Sequence, residues 1–380
     1  MKPHEEELKL LAQIAEMKEN LNLRQRKSKG LNFEKMVSEA NLPSYPHLPL
    51  LTPVYQLRAH TSKVHDVVWT PTDKYVLTVG GEGCIVIWEA QSGLIYNVVD
   101  VASIQPLTAA ATGNGERLFC GGLCANVVLY TNKHQSPEDG YSIYENNLVY
   151  EHSGQVSNII CIDDEQLLTA AASDGALLWD VEKVKVINRF EHPYSVVQCL
   201  CLSPGDKQLF LTGCEDGTIR LWDTRMSGKP TALFEAHHSD VNCVEFLPTG
   251  NNFVSGSEDT MMHLYDLRTD VTLARYIHQF LTPQSNVLDA DLPAPPQTDE
   301  PEQSDSAAVC DLAVSSSGRL VISGCRNSTV YFWDLTQPTE CLYQEYEIGP
   351  VVKLAMSNQK TALAMMTWDA KSRIRLMRPR

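Results

Sequence analysis

The chain has 380 residues, 43% of them hydrophobic, with 47 acidic against 31 basic side chains and a formal charge of −16. This is enough apolar material for one large or two ordinary domains, with a charge that opposes binding to nucleic acid or to an anionic membrane surface. No run of about 18 apolar residues is present to span a bilayer, MKPHEEELK lacks the apolar core of a signal peptide, and neither Lys2 nor the ending RLMRPR supports lipidation, so any membrane attachment is expected to run through a partner.

In chain order, the first expected element is a helix over residues 4–27, HEEELKLLAQIAEMKENLNLRQRK. Acids crowd its start and bases its end, as the helix dipole favours. Leu10, Ile14, Met17 and Leu21 step by four, three and four, the spacing of a coiled-coil seam. An isolated helix of this length is marginal in water. The seam therefore needs either another chain or the side of its own domain, and periodicity does not choose between them. Residues 1–42 are assigned to this helix and its extension, 43–53 to a proline-punctuated linker, and 54–380 to the body.

The body opens with a strand-like run, VYQLR at 54–58, and then repeats itself. GCEDGTIRLWDTR (213–225) and GSEDTMMHLYDLR (256–268) share glycine, Glu-Asp, alternating residues, an aromatic, aspartate and arginine in one register. The aromatic markers Trp88, Tyr130, Trp179, Trp222, Tyr265 and Trp333 step by 42, 49, 43, 43 and 68, and a degenerate match ends at Met377. Alternation in VHDVVW, VNCVEF and VCDLAV, followed by turn residues, predicts short antiparallel strands. A period of about 40–45 with a Trp-Asp ending indicates the WD40 repeat, one four-stranded propeller blade each. The expected fold is all-β, a seven-bladed WD40 β-propeller preceded by an N-terminal coiled-coil helix. One strand-like run precedes blade one and none follows Met377, so the N-terminal strand is expected to complete the last blade.

Histidines recur at His60, His152, His192, His237 and His278, each after a strand-like run. In the WD40 family such a histidine bonds an aspartate, a Ser/Thr and the strand's tryptophan. The matching sets are His192 with Thr212, Asp216 and Trp222, and His237 with Ser255, Asp259 and Tyr265. Glu82 and Asn327 stand at the aspartate position elsewhere, and Asp174 sits one residue closer to its tryptophan, so those networks are expected to be weaker or rearranged. Asp259 repeats as Asp216 and is read as structural, whereas Glu258 beside it is read as a turn residue free for other work.

The long step of 68 carries a surplus at 281–307 with six acids and no Lys or Arg, expected to be a flexible acidic loop on the histidine face. Eleven dispersed cysteines without CxxC or zinc spacing suit a reducing compartment and give no metal site. GGEG at 80–83 precedes a strand rather than a helix, and no HExxH, GxSxG or Walker sequence occurs. Neither an enzymatic activity nor a cofactor is expected.

The seam helix, the link near 43–53 and the seven blades together resemble the β subunit of heterotrimeric G proteins. The most specific segments are CGGLCANVVLY (120–130), SDVNCVEFLPTGNNFVSGSEDTMMHLYDLRTD (239–270), SSSGRLVISG (315–324) and TWD (367–369). The resemblance implies an obligate, usually prenylated γ subunit beside Leu10, Ile14, Met17 and Leu21. It also implies a GDP-bound α subunit and downstream effectors on an overlapping face, with residence at the inner face of the plasma membrane through those partners. By position, Lys63, Leu107, Leu123, Asp240, Asn242, Glu258 and Trp368 fit the contact residues: Leu107, Leu123 and Trp368 as apolar anchors, Lys63, Asp240 and Glu258 as charge complementarity. His65, Gln105 and Gln155 replace large aromatics of that pattern, and Ser195 replaces an acid. The other reading is a stand-alone WD40 scaffold for a multiprotein complex.

Overall fold

A computed structural model describes residues 51–379 except 102–104, 114, 134–142, 227, 270, 279–306, 339–340 and 369–372. The seam Leu10, Ile14, Met17 and Leu21 and nearly all of the acidic surplus lie outside the described residues. Ala307, the last residue assigned to that surplus, is buried.

The described strands form seven four-stranded antiparallel sheets, here called blades 1–7 in the order of their innermost strands. Those strands are Val64–Trp69, Pro106–Thr112, Val156–Cys161, Val197–Leu202, Val241–Phe246, Val309–Val314 and Val351–Met356. Each contacts the next, and the last contacts the first, so they surround a common axis. In blades 1–6 the strands run outward as a simple meander. Blade 7 takes its three inner strands from the end of the chain and its outer strand, Leu51–Leu57, from the beginning. That outer strand pairs with Arg373–Pro379, Leu51 opposite Pro379 and Leu57 opposite Ile374.

The strand starts three residues earlier than VYQLR, inside the segment assigned to the linker. Pro53 lies next to a shift of register between Pro53 and Tyr55. An edge strand tolerates a proline because its outward N–H needs no partner.

The core consists of seven apolar layers, each between two adjacent blades. Side chains along a strand alternate between the two sheet faces, and here both faces are covered. In blade 2, Leu118 and Cys120 join the layer shared with blade 1, while Phe119 between them joins the layer shared with blade 3. This explains why second and third strands such as YVLTVG are buried throughout. Outer strands have water on one side and read differently: in Ile95–Asp100 only Val99 is buried. No blade can cover both of its faces alone, so the ring has to close.

Candidate functional site: the loop face of the ring

Two backbone devices repeat around one end of the ring. First, the N–H of a residue in the turn between the second and third strands donates to the carbonyl just before the innermost strand. The pairs are Gly81 to Lys63 (2.8 Å), Leu123 to Gln105 (3.1 Å), Ala172 to Gln155 (2.9 Å) and Glu215 to Val196 (3.1 Å). Glu258 to Asp240 (3.0 Å), Arg326 to Ala308 (2.9 Å) and Trp368 to Pro350 (2.9 Å) complete the set. Second, the pairing register shifts at the second residue of every innermost strand, which is a β-bulge. The bulged residues are His65, Leu107, Ser157, Gln198, Asn242, Cys310 and Val352. A bulge leaves one residue out of the ladder and re-aims its side chain.

These devices create three concentric positions on one face. Lys63 and Asp240 occupy the position before the strand, Leu107 and Asn242 the bulge, and Leu123, Glu258 and Trp368 the turn. All seven residues matched by position to partner contacts thus fall on equivalent sites of the repeat. The replacements His65, Gln105 and Gln155 occupy such sites too. Sequence reading did not find the bulges. The available signal was two successive inward residues, as in the burial of Val241–Phe246, where Cys243 and Val244 are both buried.

The side chains differ in how tightly the fold holds them. The Trp368 indole N–H donates to the Val64 carbonyl (2.6 Å). The Lys63 ammonium lies 4.8 Å from the centroid of the Trp368 ring, and His65 meets that ring edge-on. This Lys–Trp–His group joins blade 7 to blade 1. Leu123 is 51% exposed, the least held of the apolar positions. Glu258 is not the free carboxylate expected of an exposed turn. The Arg326 guanidinium grips both its oxygens, through Nη2 at 2.9 Å and through Nη1, and Asn242 Nδ2 donates to it at 3.1 Å. Asn242 Nδ2 also donates to the Val309 carbonyl (2.9 Å), so blades 5 and 6 are tied beneath this part of the face.

The face opens into a central channel of about 460 Å³. Lys353 Nζ lies 3.5 Å from Asp311 and 4.0 Å from Asp66 in its wall. Asp66 accepts from the Thr108 hydroxyl (2.9 Å) and Asp311 from the Leu354 N–H (2.9 Å), so each carboxylate fastens its blade to the next. Burial raises the Asp311 carboxyl, against the pull of Lys353.

Behind the face lie the histidine relays. In blade 1, His60 meets Glu82 (2.5 Å) and Thr78 (2.6 Å), and the Trp88 indole donates to Thr78 (2.9 Å). Glu82 therefore replaces the aspartate without loss of the relay. Burial opposes ionisation of Glu82, but the Ser62 hydroxyl, backbone and His60 contacts bring its carboxyl down to about 2. In blade 5, His237 meets Asp259 (2.9 Å) and Ser255 (2.8 Å). The Tyr265 hydroxyl meets His263 Nδ1 at 3.0 Å.

In blade 4, His192 meets Thr212 (2.8 Å) and the Phe190 carbonyl (2.8 Å), and Trp222 donates to Thr212 (3.1 Å). Asp216, expected in this set, is not in it: it accepts from Arg220 (2.7 Å) and from the Thr218 hydroxyl (2.5 Å). The Arg220 guanidinium, four residues on in the strand Thr218–Asp223, is a stronger donor for a carboxylate than an imidazole. Burial lowers His192 to about 4. In blade 3, His152 reaches Asp174 only at 3.3 Å and its Nε2 is left without a partner, the rearrangement expected there. In blade 6, Asn327 bonds Tyr331 (3.4 Å), and His278 uses Ser323 (2.7 Å) and the Thr260 carbonyl (3.0 Å).

His60 Nδ1, Glu82 and the Cys84 thiol lie close enough to hold a cation, but the relay already uses the imidazole and the carboxylate. Nothing about this geometry calls for a metal.

The chain matches the family model of the WD domain, G-beta repeat, at residues 51–89, 184–223, 228–266 and 300–334. It is 28% identical over 329 residues to the guanine nucleotide-binding protein subunit beta of Oryza sativa subsp. japonica, an alignment covering 84% of this chain and 81% of the relative. The subunit beta-1 of Nicotiana tabacum is 29% identical over 329 residues, again with 84% and 81% covered. The subunit beta of Arabidopsis thaliana is 28% identical over 330 residues with the same coverage. The chain is therefore an all-β propeller carrying WD40 repeats, similar over most of its length to proteins named as G protein β subunits.

Proposed function

We propose that this chain is the β subunit of a heterotrimeric guanine-nucleotide-binding protein. In this reading it is a non-catalytic transducer. A γ subunit pairs with the seam Leu10, Ile14, Met17 and Leu21, and the GDP-bound α subunit and the effectors compete for the loop face. A lipidated partner then holds the complex at the inner face of the plasma membrane.

The observation that supports this best is the convergence of Lys63, Leu107, Leu123, Asp240, Asn242, Glu258 and Trp368 on equivalent positions around one channel mouth. Apolar groups near the centre exclude water, and polar groups around them set register and steer encounter. Because Glu258 is already paired with Arg326, a partner meets that pair as a unit. Its contribution is then to specificity more than to affinity.

The test is co-expression with candidate γ chains, followed by measurement of α-subunit binding to the purified pair. A soluble complex of one β with one γ, whose affinity for GDP-loaded α falls about 10- to 100-fold in Trp368→Ala, is the expected result. Glu258→Ala should weaken binding less. A stable monomer that ignores every γ chain, or wild-type affinity in Trp368→Ala, would favour the stand-alone scaffold instead.

A further inference from the structure

A fourth position on the loop face has no assigned role. It lies three residues before each innermost strand, outside the three positions described above. Thr61, Ser153, Tyr194, His238 and Ile348 occupy it in five of the blades, and all five are exposed. Three of them are small or polar. Tyr194 in blade 4 and Ile348 in blade 7 are large and apolar, at 106% and 68% exposure.

Tyr194 is unusual in its backbone as well. Its φ is +64°, in the left-handed region that Cβ-bearing residues avoid. A glycine would fill this turn without strain. The ring does not compensate through packing: among the described residues it makes no ring contact and no side-chain hydrogen bond. Around it the polar groups are already engaged, Gln198 with Glu215 (3.0 Å) and the Asp216 N–H with Ser195 (3.4 Å). A strained backbone that presents an unpacked aromatic is a conformation characteristic of ligand-contact positions. Tyrosine also suits such a position, because it buries a large rigid area on binding at the cost of few rotatable bonds.

We infer that Tyr194 and Ile348 are two further partner anchors, set outside the ring of Leu107, Leu123 and Trp368, and that they are met by one protein partner spanning the channel mouth. Blades 4 and 7 stand on roughly opposite sides of the seven-membered ring. A small ligand in the channel would not reach both. The chemistry fits a folded protein surface that offers apolar depressions to Tyr194 and Ile348 at its margin and apolar groups to Leu107, Leu123 and Trp368 within, which rests on the function proposed above and extends its contact surface. It also places the aromatic area missing at His65, Gln105 and Gln155 farther out.

The experiment measures binding of the full chain, purified with its γ subunit, to a GDP-loaded G protein α subunit. Tyr194→Gly and Ile348→Ser are compared with Trp368→Ala and the parent, and a thermal midpoint is recorded for each. The expected result is a loss of affinity of about tenfold in Tyr194→Gly, with a smaller loss in Ile348→Ser and a thermal midpoint in Tyr194→Gly equal to or above the parent's. Weaker binding together with a lowered midpoint would give Tyr194 a structural role and overturn the inference. Unchanged binding in both face variants, with a loss in Trp368→Ala, would overturn it while leaving the proposed function standing. Unchanged binding in all three would overturn both.

Discussion

Blades 4 and 5 carry the two most similar stretches of the chain, GCEDGTIRLWDTR and GSEDTMMHLYDLR, and they use them differently. Blade 5 holds its histidine with the carboxylate: His237, Asp259 and Ser255 are joined in sequence. Blade 4 keeps histidine, threonine and tryptophan together but gives the histidine a backbone carbonyl in place of Asp216. Four residues after each aspartate stands Arg220 in blade 4 and His263 in blade 5. Arg220 captures its aspartate, whereas His263 stacks on His237 at 4.2 Å and leaves Asp259 to the relay. One residue on the third strand thus decides which groups an identical Glu-Asp turn connects.

The contrast should appear most strongly on removal of the two carboxylates. Asp259 accepts from His237, from the His238 N–H (3.1 Å) and from the Met261 N–H (3.0 Å). Asp259→Ala strands these donors, one of them on a buried ring, and is expected to cost about 2–4 kcal/mol in denaturant unfolding. Asp216→Ala leaves the His192–Thr212–Trp222 bonds in place but takes the carboxylate from the buried Arg220 guanidinium, and is expected to cost less, about 1–2 kcal/mol. Equal losses would mean that the relay in blade 5 does not depend on its acid.

Acid provides the next largest effect. Burial lowers His192, His263 and His278 to about 4 in the folded chain, against an ordinary value of 6.5. Between these values the unfolded chain takes up protons that the folded chain refuses. This contribution is therefore whole above pH 6.5 and is lost as pH falls towards 4. The thermal midpoint should decline through that window, less steeply in His192→Gln than in the parent. A flat profile would contradict the burial of these rings in neutral form.

The smallest effect sharpens the comparison most. Arg220→His gives blade 4 the residue of blade 5. Loss of the guanidinium removes a charge that depresses His192 and frees Asp216 to approach it. The His192 titration, followed by NMR, should move up towards the ordinary range. A titration that stays near its parent value would show that burial alone sets it.

These differences mark what could be read from residues alone. The strand alternation and the spacing of Trp88, Trp179, Trp222 and Trp333 reveal the blades because burial on two faces imposes a period of two and the repeat imposes a period near 43. The pairing of the first strand with Arg373–Pro379 was legible from counting, since one outer strand was missing at the end. The route of Asp216 was not, because a motif fixes spacing but not which of two donors within reach is stronger. The bulges at Leu107 and Asn242 were hidden for a related reason: one extra residue in a six-residue strand barely disturbs alternation. Tyr194 was invisible because its significance lies in a backbone angle, and nothing in HPYS announces a left-handed turn. The repeat placed Glu258 on the turn between the second and third strands but could not show the Arg326 grip, which comes from the neighbouring blade.

The outer strand of blade 7 has a consequence for how the molecule is made. Residues 51–57 leave the ribosome well before their partners at 373–379, with the six other blades made between them. At roughly 5–20 residues per second, the first strand waits about a quarter of a minute to a minute before its ladder can form. Throughout that interval blades emerge in order, each covered on one side only, with the apolar layer of the newest blade open. An edge of this kind is a template for wrong pairing, and the danger grows as translation slows. Until the residues of blade 7 arrive, the unfinished ring carries both an unpaired edge and an uncovered apolar layer.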